Sequence, residues 1–255
     1  MRLRFAWIVC LIGLMLTMSS CQSPTTVDPP VVPDEPVQPV QGVVLRGIDI
    51  SHHNVDGYGA IDWAQVRAAG SVFAFVKATE GYNGCWTDAT FTTNIERGHA
   101  AGLFMGAYHF ARPDLNKDAA IEAACFLRVA GPYLTSGHLR PVLDIETGAA
   151  LGKAQLSAWV QTWLTTVKNR TGLEPLIYTY SSFTKNFDVA LTKYSLWVAH
   201  YTGSVNISPN TGIWATWDFW QYTDNGSSAG VSDPSIDLNL FNGDLARLQR
   251  EFVIP

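Results

Sequence analysis

The stretch LRPVLDIET (139–147) decides the fold. Pro141, Val142 and Leu143 are apolar and suit a strand covered on both faces. Asp144 and Glu146 stand two apart, and side chains alternate along a strand, so both point the same way. Thr147-Gly148 ends the strand just beyond them. Upstream, DLNKDAAIEAACFLRVAGPYL (114–134) contains a helix closed by Gly131-Pro132. Downstream, KAQLSAWVQTWLTTVKNRTG (153–172) carries Leu156, Trp159, Val160, Trp163 and Val167 on one helical stripe. A buried strand between two such helices implies parallel pairing through right-handed crossovers.

The same rhythm continues outward. Toward the N-terminus lie strands VVLRGIDIS (43–51), SVFAFVKATEG (71–81) and LFMGAYHFA (103–111), separated by helical stretches 61–70 and 93–102 that each end in Gly. Toward the C-terminus come strand PLIYTYSS (175–182) and a weaker fifth helix over 182–193. SLWVAHY (195–201), WATWDFWQYT (214–223) and SIDLNLFN (235–242) then read as strands joined by short loops, some of them antiparallel. GDLARLQREF (243–252) is a final helix. Eight strands of this kind predict a single-domain α/β fold, a TIM-like barrel, in preference to an open doubly wound sheet.

Two acids facing inward at the carboxyl end of a buried strand are costly unless they are used, and that end is where barrel active sites lie. Asp49 ends the first strand and Asp237 lies on the eighth, and these two strands meet when a barrel closes. Crowded carboxylates cannot all ionise cheaply, so at least one pKa rises. A protonated acid beside an ionised one is what glycosidic bond cleavage requires. The competing expectation is that these acids merely pair with Arg46, Lys77 or Arg112. No metal is expected: H-E-x-x-H and comparable spacings are absent, and adjacent His52 and His53 would face opposite ways on a strand. His99 and His138 read as surface or packing residues, and His109 and His200 as hydrogen-bonded strand histidines. No G-x-S-x-G elbow or phosphate-cradling loop occurs, and no cofactor is expected.

The first twenty residues read as an export signal, with Arg2 and Arg4 before an apolar run from Phe5 to Met18 that is short for a membrane span. Met18-Ser19-Ser20-Cys21 resembles a bacterial lipobox, which makes Cys21 the lipidated mature N-terminus. The expected organisation is 1–20 signal, 21–44 a Pro-rich tether in extended polyproline conformation, and 45–255 the folded domain. The catalytic domain is then periplasmic or extracellular, held to a membrane through Cys21 (the outer membrane in a Gram-negative cell), and a tethered monomer is the default. Cys10 leaves with the signal. Cys85 and Cys125 remain, and an exported chain with two cysteines left is expected to pair them, two buried free thiols being the alternative. Without Arg2 and Arg4, 15 basic groups face 22 acidic ones, which argues against nucleic acid as a partner. Nine Trp residues hint at a carbohydrate site.

Seven blocks in order resemble glycoside hydrolase family 25, the Chalaropsis-type lysozymes: GIDISHHN (47–54), IDWAQVRAAGSVFAFVKATEG (61–81), AGLFMGAYHF (101–110), VLDIE (142–146), LWVAHY (196–201), WDFWQYT (217–223) and IDLNLF (236–241). The resemblance implies a (β/α)5(β)3 barrel that cuts the β-1,4 bond from N-acetylmuramic acid to N-acetylglucosamine in peptidoglycan. It implies Glu146 as general acid and then base, Asp144 as partner of the substrate's acetamido group, and Asp49 and Asp237 as tuning charges, in a retaining, substrate-assisted reaction. Tyr108, Tyr178, Tyr180, Trp197 and Trp220 become candidates for sugar contact, with core packing as the alternative for each. The loop TDNGSSAGVSDPS (223–235) is the main departure from the family and is expected to alter the grip on long glycan strands. Two other functions are to be weighed: a non-catalytic glycan-binding lipoprotein, against which four intact acids argue, and a chitinase-like barrel, against which the missing D-x-x-D-x-D-x-E run argues.

Overall fold

The computed structural model describes residues 44–255. The expected signal, Cys21 and the tether lie outside these residues, except for Val44, which already belongs to the first strand. β1 (Val44–Ile50) leads through a 3-10 turn and α1 (Trp63–Ala68) to β2 (Ser71–Glu80). A two-residue strand, β3 (Trp86–Thr87), and α2 (Phe91–Ala100) precede β4 (Phe104–Phe110). α3 (Ala119–Ala130) leads to β5 (Val142–Asp144), and α4 (Lys153–Thr171) leads to β6 (Leu176–Tyr180). β7 (Leu196–Ala199), β8 (Phe219–Gly226), β9 (Ile236–Asn242) and α5 (Leu245–Glu251) follow.

The strand order β1-β9-β8-β7-β6-β5-β4-β2, with β1 pairing β2, closes an eight-strand barrel, and β3 hangs on the end of β2. Every neighbouring pair from β1 through β2 and β4 to β8 is parallel. Within the barrel only β9 runs the other way, antiparallel to both β8 and β1. Two expectations need correction here. The connection 200–218 is long rather than short, and that length lets the chain cross back so that β8 runs parallel to β7. The fifth helix is not an α-helix. It is two 3-10 segments, Ser181–Asn186 and Val189–Lys193, broken where Phe187 is extended and Asp188 caps the second by accepting from Ala190 N. Thr184, Asp188 and Thr192 bond the local backbone through their side chains and compete with a longer helix.

The helices cover the barrel because their stripes are apolar. In α4, Leu156, Trp159, Val160, Trp163, Leu164 and Val167 are all buried. Gly172, at φ +76°, ends the helix and donates its N–H to Lys168 O. Asp62 caps α1 through Gln65 N. Cys85 and Cys125 are joined, with Cα atoms 5.5 Å apart and a sequence separation of 40, so the loop after β2 is tied to α3.

Inside the barrel a second cluster forms a plug of Phe73, Phe75, Val142, Leu176, Trp197, Phe219 and Phe241, closed from below by Leu248 and Phe252. Two glycines make room for it. A Cβ on Gly47 would lie 2.5 Å from the Phe73 ring, and one on Gly106 would lie 2.5 Å from Phe75. Small residues opposite large ones are how a narrow barrel is filled. The loop 223–235 also differs from expectation. Its start continues β8, pairing Thr223 with Leu238 and Gly226 with Ile236. Its remainder folds back on the barrel's flank: Asp62 N donates to Gly230 O at 2.8 Å, and Asn54 Nδ2 donates to Asp233 Oδ2 at 2.9 Å.

Candidate active site

Above the plug the inward face turns polar. The same alternation that places Gly47, Val142, Leu176 and Phe219 in the plug places Asp49, Asp144, Tyr178 and Gln221 one pleat higher. A cleft of about 470 Å³ opens there, at the carboxyl ends of the parallel strands, lined by Asp49, Lys77, Asp144, Glu146, Gln221 and Asp237 among others. The structure thus brings together all four acids singled out in the sequence.

Asp49 and Asp237 are direct partners across the antiparallel β1–β9 pair, where like charges repel. Asp49 Oδ2 accepts from Gln221 Nε2 at 2.9 Å and from Asn239 Nδ2 at 2.7 Å. These partners are themselves held: Tyr178 and Tyr201 each donate a hydroxyl to Gln221 Oε1 at 2.8 Å, and Trp197 Nε1 donates to Asn239 Oδ1 at 2.8 Å. Burial raises Asp49 to about 6 against these hydrogen bonds. Burial and the Asp49 charge together push Asp237 up to about 9. Burial also lifts both Asp144 and Glu146; the charge of Glu146 adds to the rise of Asp144, while a hydrogen bond with Asp144 restrains Glu146. The pair therefore shares a proton in the range where ordinary carboxyls have lost theirs. Asp144 Oδ1 is buried and has no hydrogen-bond partner among the described residues.

Two of the cations named as competing partners, Lys77 and Arg112, are engaged with other acids. Lys77 Nζ pairs with Glu80 Oε2 at 2.7 Å, and Arg112 grips Asp114 at 2.8 Å and Glu80 at 3.3 Å. Lys77 and Glu80 are three apart on a strand and would ordinarily face opposite sides. A register shift between Lys77 and Thr79 inserts a bulge at Ala78, which turns both into the cleft. Periodicity gives no sign of that bulge. Asn239, by contrast, was readable, since it shares a face by alternation with Asp237.

The other sequence candidates fall in several places. Tyr108 and Tyr178 line the cleft. Trp197 forms its floor, stacked on Phe75 at 4.3 Å between ring centroids and only 1% exposed. Tyr180 stands at the rim, 37% exposed. Trp220 is corrected: it faces away from the barrel interior, is 0% exposed, packs on Trp217 and donates Nε1 to His200 O at 2.7 Å. It has no surface to offer a sugar. His52 and His53 lie in a 3-10 turn, not a strand, so their rings sit 3.9 Å apart on one side instead of facing opposite ways. His53 lines the cleft and His52 bonds Asp88. His109 is a core histidine held between Thr79 Oγ1 and Glu122 Oε2, each at 2.8 Å. His99 and His138 stack at 4.2 Å.

Comparison with known proteins agrees with this geometry. Residues 48–231 match the profile described as Glycosyl hydrolases family 25. Over 228 residues the chain is 37% identical to lysozyme M1 of Streptomyces globisporus, covering 85% of this chain and 74% of that one. It is 27% identical over 222 residues to the N,O-diacetylmuramidase of Chalaropsis sp., covering 81% of this chain and 98% of that one. The crystal structure of a bacterial lysozyme from Streptomyces coelicolor superposes with a TM-score of 0.71 at 35% identity, covering 80% of this chain and 94% of that one. With the family profile spanning most of the barrel and the acids gathered at its mouth, the chain belongs to glycosyl hydrolase family 25.

Proposed function

We propose that this chain is an N-acetylmuramidase that hydrolyses the β-1,4 bond from N-acetylmuramic acid to N-acetylglucosamine in peptidoglycan. The observation that carries the reading is the Asp144–Glu146 pair, buried together in the cleft while the nearby Lys77 forms its salt bridge with Glu80 instead. The names of its relatives, lysozyme and diacetylmuramidase, agree with it.

The chemistry follows from where the proton sits. The substrate's acetamido N–H donates to the unpartnered Asp144 Oδ1 and stabilises Asp144 as a carboxylate. The shared proton then resides on Glu146, which passes it to the glycosidic oxygen as the C1–O bond breaks. The acetamido oxygen bonds to C1 in the same step, so no enzyme nucleophile is needed. Water then adds to C1 and displaces the acetamido oxygen, and its proton returns to Glu146. The configuration at C1 is retained. Asp49 keeps the surroundings negative where positive charge develops on the sugar ring; Gln221 and Asn239 hold it in place, and the protonated Asp237 lies beside it.

The protein is exported, anchored through a lipid on Cys21, and acts as a monomer. Met18-Ser19-Ser20-Cys21 supports the anchor, and incorporation of labelled fatty acid that is lost in Cys21→Ala tests it. Borohydride reduction of digested peptidoglycan tests the cleavage itself. New ends should appear as muraminitol; glucosaminitol would overturn the bond assignment.

A further inference from the structure

Among the described residues, Lys77 is the one lysine or arginine that lines the acid cleft. Its charge opposes the chemistry. Burial raises Asp144 and Glu146, and Lys77 works against that rise in both. The other titratable groups facing Glu146 bring no positive charge. Asp49, Asp144 and Asp237 are acids. Burial lifts the hydroxyls of Tyr108, Tyr178 and Tyr201 above their ordinary range, so they stay uncharged. Burial lowers His53, and the neighbouring His52 adds to the fall. Where Lys77 sits therefore decides how firmly the acid pair holds its proton.

Lys77 has a seat of its own. Its Nζ is 2.7 Å from Glu80 Oε2 and lies over the rings of Phe110 and Trp86, 4.7 and 5.4 Å from their centroids. The seat depends on parity. Phe73 and Phe75 face the plug, so regular alternation would turn Lys77 and Thr79 inward and Glu80 outward. The bulge at Ala78 exchanges the last two. Thr79 faces out, where its hydroxyl meets His109 Nδ1 at 2.8 Å. The other nitrogen of that ring meets Glu122 Oε2 of α3 at 2.8 Å. Glu80 faces in. From the rim, Arg112 holds Glu80 Oε1 at 3.3 Å while it grips Asp114 with two bonds of 2.9 and 2.8 Å. Thr79, His109, Glu122 and Arg112 all stand outside the cleft lining.

We infer that Glu80 is a positioning residue of the reaction: pinned by the bulge at Ala78 and by Arg112, it keeps Lys77 paired on its own side of the cleft, so that the Asp144–Glu146 pair retains the proton the reaction delivers. This rests on the muramidase reading and adds to it a residue that acts through another. With Gln at position 80, Lys77 keeps its charge and loses its partner. The carboxylates left to it in the cleft are those of the acid cluster. A cation beside them favours their ionised form, so Glu146 gives up its proton at lower pH.

The test is a cycle of four mature proteins: wild type, Glu80→Gln, Lys77→Met and the double variant. The readout is the basic limb of the pH–kcat/KM profile on a peptidoglycan tetrasaccharide. The position of that limb does not depend on how much of a sample is folded. Glu80→Gln should move it to lower pH by about 1 unit, and Lys77→Met should move it to higher pH. In the Lys77→Met background, Glu80→Gln should move it by a smaller amount, because no cation remains to be held. Equal shifts in the two backgrounds mean that Glu80 acts only by its own charge, and they overturn the assignment. So does a limb that stays in place or moves to higher pH in Glu80→Gln. Release of glucosaminitol ends by the wild type would instead overturn the muramidase reading beneath it.

Discussion

The two halves of the barrel interior are built from the same strands and do opposite things. In the lower half Phe219 meets Phe73, Phe75, Phe241 and Phe252, with ring centroids 4.9–5.2 Å away. In the upper half, one pleat along, five carboxylates share a cleft with Lys77, which is itself paired with one of them, Glu80. Burying a Phe side chain contributes about 1.5–3 kcal/mol, whereas each buried carboxyl forced to ionise costs stability. The lower plug thus offsets the strain of the upper site and holds its strands rigid enough to keep the acids apart from solvent.

That contrast can be broken from below. Phe219→Ala should destabilise the domain by about 3–5 kcal/mol, read as a lower urea midpoint with the m-value unchanged. Gly47→Ala and Gly106→Ala drive a methyl into Phe73 and Phe75 and should cost about 1–3 kcal/mol each by overpacking. If they are neutral in thermal melts, the plug is not tightly packed.

It can be sharpened from above. The folded protein holds Asp237's proton up to a pKa of about 9, from an ordinary 3.8. The native state therefore binds more protons than the unfolded chain between those limits, and stability falls as pH rises through that window. Asp237→Asn removes this loss and should raise Tm at pH 8 by about 2–4 °C, with a smaller gain at pH 5. A variant less stable than wild type at pH 8 would contradict the account of the upper half. The smallest effect concerns activity. The Asp49 charge helps to raise Glu146, so Asp49→Asn should move the basic limb of the pH–kcat/KM profile toward lower pH. A shift the other way would show that Asp49 does not act through its charge.

The same contrast explains what the sequence made legible. A strand with a clear apolar face announces its parity, so Asp144 and Glu146 in LRPVLDIET were assigned inward together, and Asp237 carries Asn239 with it. WDFWQYT is apolar on both faces, so alternation alone did not say whether Phe219 and Gln221 or Trp220 faced the sugar, and Trp220 was misassigned. The Lys77–Glu80 pair depends on a bulge at Ala78 that leaves no trace in hydrophobic spacing. The fifth helix failed because backbone-bonding Thr184, Asp188 and Thr192 outweighed its weak periodicity. The register that sets Asp49 opposite Asp237 follows from barrel closure, which the strand count alone anticipated.

The central claim is that the proton shared in the upper half is the one delivered to the glycosidic oxygen. Comparing mature wild type with Glu146→Gln tests it most directly, by counting muramic acid reducing ends released from purified peptidoglycan and measuring Tm on the same samples. The account predicts a loss of about 10²–10⁴-fold in kcat with Tm equal to or above wild type. Equal rates of release from the two proteins, with both folded, would contradict it.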